Sequence, residues 1–411
     1  MPIREHAIQI AHEAIRTVLP DAAVRRALSR RAFRRPITLF AIGKAAWSMA
    51  HAAVEQLGSA AIRQGVVITK YAHAQGAIGS LEIYEAGHPI PDENGLAASA
   101  RALTMAQSLT DQDEAIVLLS GGGSALFECL QSGITIEEVQ DINAQLLASG
   151  ADIATINIIR KRFSRVKGGR FAEALAPARV LCIALSDVLD DAPDAIASGP
   201  VHPDPHTAAE ACAIAARYHL RLSETARALL LQETPKAITG VETEIVGNVA
   251  LLCEAAARAA ERLGYPAAIM DAHLTCEARD AGAMIARYAR QAAAPCALIW
   301  GGETVVHVRG QGKGGRNQEV ALSAAQGIRG MRNACVLAIG SDGTDGPTDA
   351  AGGVVTGDFY EAAGEAACFH HLMNNDAYPL LKQHGALLIT GATGTNVNDL
   401  YLLLIGADAA P

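Results

Sequence analysis

Short apolar runs bounded by glycine, proline and aspartate alternate along this chain with stretches in which small apolar residues return every three or four positions. A bounded apolar run is the pattern of a strand buried on both faces, and the longer period is that of a helix packed against it. Strands are predicted over residues 37–42, 65–69, 115–119 and 180–185, then over 267–270, 296–300, 335–339, 387–390 and 400–405, with 305–308 alternating as a half-buried strand. Helices are expected over 3–16, 45–57, 136–150, 208–231, 249–263 and 278–294, the first spacing Ile3, Ala7, Ile10, Ala14 and Ile15 along one face. The interleaving predicts an α/β protein. A chain of 411 residues exceeds one ordinary core, so two domains are expected, 1–236 and 237–411, divided at the linker-like stretch 234–240.

Candidate chemistry gathers at the ends of the predicted strands, where open α/β sheets hold their ligands. The run 115–119 stops at Ser120, Gly121, Gly122, Gly123 and Ser124, and apolar helix formers follow. Glycines there let a phosphate or carboxylate lie against bare backbone N–H groups, the serines add hydroxyl donors, and a helix would contribute its positive end. A tight turn with no ligand has the same letters. Lys44 follows the run 37–42 as the one charge between Pro36 and Glu55, which suits a phosphate contact. His88 lies in the proline-fixed loop 87–95, where a histidine either does chemistry or, more often, shapes the loop. Five of the residues from Arg160 to Lys167 are basic; a phosphate cluster, a solvated helix rim and a subunit contact all read this way. The strand 180–185 ends in Ser186 and Asp187, with Asp190, Asp191 and Asp194 close behind. An acid facing a phosphate loop in the same sheet is where Mg²⁺ would be held, although turns and helix caps use aspartate too.

Farther along, Gly310, Gly312 and Gly315 spell the G-x-G-x-x-G of a dinucleotide site, the one sequence argument for a dehydrogenase. The same loop carries Lys313 and Arg316, and the next strand-end acid, Asp342, falls later than the roughly 20 residues that ribose recognition expects. Two fixed cations flanked by glycines suit a clamp on a transferring phosphoryl group better. In 340–349 three aspartates and three glycines crowd together without the distal glutamate of an EF-hand, and Asp342 or Asp345 is placed to orient or deprotonate a hydroxyl.

Composition narrows the partners. Lys plus Arg number 34 against 43 Asp plus Glu, a net charge of −9, which gives no bulk attraction to nucleic acid or an anionic membrane. Small molecules are the expected partners. No apolar run is long enough to span a bilayer, and the charged N-terminus is unlike a signal peptide. Of the eight cysteines the nearest pair is Cys276 and Cys296, so neither a zinc knuckle nor a redox CxxC is available. Buried thiols in a reducing cytoplasm are expected.

The stretches GKAAWSMA, GHPIPDENG, LLSGGGSAL, IASGP, GGETVVHVRGQGKGGRNQE, GTDGPTDAAGG and TGATGTNVNDL, in this order and spread over almost the whole chain, resemble the glycerate 2-kinase family. The resemblance implies two three-layer α/β/α domains, a Rossmann-like N-terminal one and a C-terminal MOFRL one, with an interdomain cleft. It implies phosphorylation of D-glycerate to 2-phosphoglycerate with ATP and Mg²⁺, by a monomer or small homo-oligomer. Matched by motif, Lys44, Asp187, Arg316 and Asp342 would line the cleft, Asp187 as metal ligand, with Ser120 to Ser124 as substrate or phosphate cradle and Lys313 beside Arg316. Two stretches depart from the family pattern: Arg160-Lys-Arg-Phe-Ser164 stands where RKHLS is usual, and Leu189-Asp-Asp-Ala192 replaces a Pro-Gly-Asp-Asp turn. Some members carry the label hydroxypyruvate reductase, so an NAD(P)H-dependent reductase is the alternative, and a non-catalytic sugar-acid or nucleotide sensor a third reading.

Overall fold

The computed structural model describes residues 2–33, 36–188 and 192–407, and within them two six-stranded sheets divide the chain. The first contains Ile37–Ile42 (β1), Ile62–Lys70 (β2), Leu81–Ala86 (β3), Glu114–Leu119 (β4), Arg179–Leu185 (β5) and Val241–Gly247 (β6), in the order β3-β2-β1-β4-β5-β6. All pairs from β3 through β5 are parallel. This is the doubly wound order, whose direction of winding reverses between β1 and β4. Both strands are apolar apart from Thr38 and the leading Glu114 because helices cover both faces; every residue of β1 is buried. One face packs Phe40, Val117 and Cys182 against Ala98, Ala102 and Phe171, and Phe171 meets Phe40 and Phe127 edge-on. A separate apolar cluster joins the helices Ile136–Ala148, Ile153–Phe163, Ala208–Arg217 and Glu224–Leu230 through Ile142, Ile159, Ala211 and Leu229.

The second sheet contains Ala267–Leu274 (β7), Cys296–Gly302 (β8), Ala334–Gly340 (β9), Gly352–Thr356 (β10), Leu387–Leu388 (β11) and Asp399–Ile405 (β12), ordered β11-β10-β9-β12-β8-β7. Strand β12 runs antiparallel to both neighbours and is buried along its whole length. Its register sets Asp399 opposite Gly302 and Gly340, at the ends of β8 and β9. Tyr401 and Leu403 pack against the helices Ala278–Ala289 and Arg316–Gly327.

Packing separates residues 23–246 from a second unit made of residues up to 22 together with those from 247 onward. The sequence boundary at 236/237 therefore falls inside the first unit, ahead of β6, which joins the first sheet. The helix Ile3–Thr17 belongs to the second unit because Ala7, Ile10, Ala11 and Ala14 are fully buried, and it packs on Val249–Arg262. Glu13 pairs with Arg262 there at 2.5 Å.

Three local expectations change. The helical pattern 208–231 is two helices, broken where His219 adopts a positive φ of 50° and restarted by Ser223, whose side chain caps Ala226 N–H at 3.0 Å. The strand expected at 305–308 reduces to one bridge between Glu277 and Val305, and Val305 and Val308 are exposed. The helix after the glycine triplet is a single turn, Gly123–Leu126. Most cysteines are buried as expected, but Cys276 is exposed. No described helix is long and apolar enough to cross a membrane.

Candidate active site

At the reversal between β1 and β4 the turns that follow the two strands lock onto each other. Ser120 N–H donates to the Ile42 carbonyl at 3.0 Å, Lys44 N–H to the Gly121 carbonyl at 2.9 Å, and Ala45 N–H to Ser120 Oγ at 3.1 Å. Such close approach needs glycine: a Cβ on Gly43 would lie 2.3 Å from Ser120 Oγ. Gly122 has a positive φ of 82° and opens the helical turn. With one turn of helix the dipole behind this loop is small, so the anion site the sequence suggests rests on backbone donors and side-chain charge.

Functional groups converge on this bare backbone. A Cβ on Gly121 would sit 2.5 Å from Asp187 Oδ2, and one on Gly122 would sit 3.0 Å from the Nε2 edge of His88 and 3.1 Å from Lys44 Cγ. Lys44, His88, Asp187 and the glycine loop therefore share one crevice at the carboxyl edge of the sheet. Burial pushes the His88 imidazole down to about 4, helped by the positive charges of Lys44 and Lys70 and by His73, so the ring is neutral at physiological pH. The sequence favours a loop-shaping role for His88, whose one local signal is the proline-fixed loop around it. Asp190 and Asp191 lie outside the described residues.

The basic stretch 160–167 is largely internal. Lys161 Nζ bridges Asp194 at 3.0 Å and Asp204 at 3.1 Å. Its ammonium thus occupies the one group of metal-capable side chains found among the described residues, Asp194, Asp204 and His206. Arg162 donates to the carbonyls of His206 and Gln232 at 2.6 and 3.0 Å, and Lys167 pairs with Glu128 at 2.9 Å. Neither a solvated rim nor a subunit contact explains them: Arg162 and Lys167 are fully buried. Only Arg160 reaches the crevice, donating from Nη2 to the Ser124 carbonyl at 2.7 Å.

In the second unit, Arg316 opens the helix Arg316–Gly327 and forks onto Asp399, Nε to Oδ2 at 2.5 Å and Nη2 to Oδ1 at 3.0 Å. Its Nη1 reaches Glu303 at 2.8 Å, and Tyr401 hydroxyl donates to Asp399 at 3.2 Å. Burial pushes the Asp399 carboxyl up against the opposing pull of Arg316, while the two acids hold the guanidinium firmly charged. Asp399 and Glu303 were not singled out from sequence; the signal available was an acid placed directly before a wholly apolar strand. Asp342 follows β9, accepting from Thr344 N–H at 2.9 Å, and its Oδ1 lies 3.3 Å from where a Gly340 Cβ would be. Asp345 has another task. It is buried, accepts from Asn317 N–H at 3.1 Å and Gln318 N–H at 2.9 Å, and so caps the Arg316 helix; burial pushes its carboxyl up to about 6.

Gly310 and Gly312 serve packing: a Cβ on either would lie 2.3 Å from Asn374 or Asp376. Arg309 N–H donates to Asn375 Oδ1 at 2.7 Å and Lys313 N–H to Asp376 Oδ1 at 2.7 Å. With no strand leading into it, this loop lacks the context of a dinucleotide fingerprint. The Lys313 ammonium rests over the Tyr378 ring, 4.6 Å from its centre.

Comparison with known proteins gives this geometry a family. A domain of unknown function, DUF4147, matches residues 6–231, and the MOFRL family matches residues 296–399. A D-glycerate 2-kinase of Thermotoga maritima is 49% identical over 413 residues, 98% of each chain. The chain belongs to the glycerate 2-kinase family. The crystal structure of a glycerate kinase from Thermotoga maritima superposes with a TM-score of 0.94 at 48% identity, covering 98% of this chain and 99% of that one. Another relative, 39% identical over 97% of this chain and 93% of its own, is named a putative hydroxypyruvate reductase of Agrobacterium vitis. Within the glycerate 2-kinase family that second name is a variant of label, and the loop at Gly310 gives it no structural support.

Proposed function

We propose that this chain transfers the γ-phosphoryl group of ATP to the 2-hydroxyl of D-glycerate, giving 2-phosphoglycerate, with Mg²⁺ required. The observation that carries the reading is the crevice at the reversal of the first sheet, where the Lys44 side chain, the neutral His88 imidazole and the Asp187 carboxylate meet bare glycine backbone. Hard carboxylate oxygen beside a phosphate-sized turn fits Mg²⁺, which Asp187 would hold and which would offset phosphate charge there. Lys44 offsets charge on the transferring group, and the backbone N–H groups of the glycine loop and the Ser120 and Ser124 hydroxyls orient it. His88, being uncharged, hydrogen-bonds there without competing for the metal's electrostatic role.

We assign to Asp342 the task of orienting the acceptor hydroxyl and taking its proton as that oxygen bonds to the γ-phosphorus and the bond to the β–γ bridging oxygen breaks. Arg316 supplies a guanidinium held in place by Asp399 and Glu303, and Lys313 adds a cation on the same loop. The test is ADP release from purified protein with D-glycerate and Mg·ATP, beside a matched reaction with hydroxypyruvate and NADH or NADPH. Glycerate-dependent ADP release without nicotinamide oxidation supports the kinase; nicotinamide oxidation alone overturns it.

A further inference from the structure

Four cations of the 160–170 stretch have their charge or donors met by protein: Lys161 by two aspartates, Arg162 by carbonyls and Glu233, Lys167 by Glu128, and Arg170 by the carbonyls of Lys161 and Ser164 at 2.5 and 3.0 Å. Arg160 is different. Among the described residues its hydrogen bond is to the Ser124 carbonyl; its Nε, like that of Arg162, is shut off from solvent without a partner, but Arg162 has an ion pair with Glu233 and Arg160 has none. The acid whose charge it feels is Glu128, and that carboxylate is already paired with Lys167. Among the described residues, Arg160, Lys167 and Glu128 together thus carry one net positive charge beside the glycine loop, an arrangement that is costly unless a ligand's charge completes it.

Two hydroxyls stand at the same place. Ser124 Oγ lies 2.8 Å from Ser198 Oγ, which in turn lies 3.4 Å from Asn157 Oδ1. Ser198 is fully buried, and Ala197, Ser198 and Gly199 are three successive residues with positive φ, of 51°, 62° and 62°. Such backbone is strained for the first two, and it brings Ala197 under Gly123, whose Cβ would be 2.5 Å from that of Ala197. Arg160, Ser124 and Asn157 retain partial exposure, so the group is open to a small solute.

We propose that the Arg160 guanidinium, with the Ser124 hydroxyl that the buried Ser198 orients, binds the carboxylate of the acceptor and so selects hydroxy acids over neutral polyols. This rests on the kinase reading above and extends it. Lys44 and Asp187 meet the loop at Gly121 and Gly122, whereas Arg160 meets it at Ser124, so the phosphoryl group and the acceptor's carboxylate take different parts of one turn. A planar fork on a planar carboxylate also explains arginine there, since lysine would offer a point charge.

The test is calorimetric binding of D-glycerate to the wild-type chain, Arg160→Met and Arg160→Lys, with KM for glycerate, glycerol and Mg·ATP measured on the same samples and folding checked by thermal melting. Loss of a charge-assisted hydrogen bond should weaken glycerate binding about 10- to 100-fold in Arg160→Met, and less in Arg160→Lys, while KM for nucleotide stays within about threefold. The preference for glycerate over glycerol should collapse in parallel. Glycerate affinity within about threefold of wild type in a folded variant overturns the assignment, as does a rise in nucleotide KM matching the loss for glycerate. If the wild-type chain binds glycerate through Arg160 but releases no ADP, the kinase reading fails and the carboxylate site stands. If the wild-type chain does not bind glycerate, both are overturned.

Discussion

Replacing Asp399 by asparagine keeps its shape and removes the charge onto which Arg316 is forked. The Asp399 side chain is 1% exposed and that of Arg316 34%. Removing one partner of a fully buried ion pair costs about 3–5 kcal/mol, because the other is left charged and unpaired. Here water reaches part of Arg316, and Glu303, itself 47% exposed, stays 2.8 Å from it. Both lower the cost, to about 2–3 kcal/mol. A double-mutant cycle of Asp399→Asn with Arg316→Met isolates the pair. Trp300 is buried in β8 opposite Tyr401 and Trp47 lies in the first unit, so in a Trp47→Phe background urea unfolding followed by fluorescence reports the second unit alone. The expected coupling is about 2 kcal/mol. A coupling under about 0.5 kcal/mol, the worth of an exposed pair, would refute the reasoning, because the fork would then be no more than a surface contact.

Lys44→Met should lower turnover about 10²-fold or more while the protein stays folded, as expected for a lost electrostatic contact in the transition state; near-normal turnover in the coupled assay removes Lys44 from the chemistry. The same change should raise the His88 pKa from about 4 toward its ordinary value, read by NMR of labelled histidine, because Lys44 is one of the charges holding it down. Since the unfolded chain protonates His88 first, its contribution to stability is present above the unfolded value near 6.5 and is lost as pH falls from there toward 4; a His88→Gln variant should show a weaker loss over that window in thermal melts. Gly121→Ala places a methyl 2.5 Å from Asp187 Oδ2 and should raise the Mg²⁺ concentration needed for half-maximal activity, a shift absent in Gly330→Ala, where no atom lies within 4 Å.

Most strands were legible because buried strands read as unbroken apolar runs, and β1 and β4 agree with prediction to within a residue, whereas the half-buried β3 and β6 and the glycine-led β10 lack such a run and were not foreseen. Their turns disclosed Lys44 and the glycine loop for the same reason: functional residues follow directly on the strand ends. What sequence periodicity does not carry is side-chain pairing across long separations. Arg316 is 83 residues from Asp399, and nothing local marks the two as one forked pair. Likewise, a run of basic residues reads as solvated charge when each letter is considered alone, yet Lys161 and Arg162 are spent on Asp194, Asp204 and backbone carbonyls that lie 33 to 70 residues farther on. The G-x-G-x-x-G spelling misleads in the opposite way: its first two glycines serve the packing of a loop against Asn374 and Asp376. The placement of the first helix with the second unit rests on burial of its Ala7, Ile10, Ala11, Ala14 and Ile15 face, which amphipathicity predicts without naming the partner.

The most direct test of the central claim is the identity of the product formed from D-glycerate and Mg·ATP, read by phosphorus–proton correlation NMR. A phosphorus signal coupled to the single proton on carbon 2 is the predicted result. Coupling to the carbon 3 protons, or no phosphorylated product from protein shown to be folded, would contradict it.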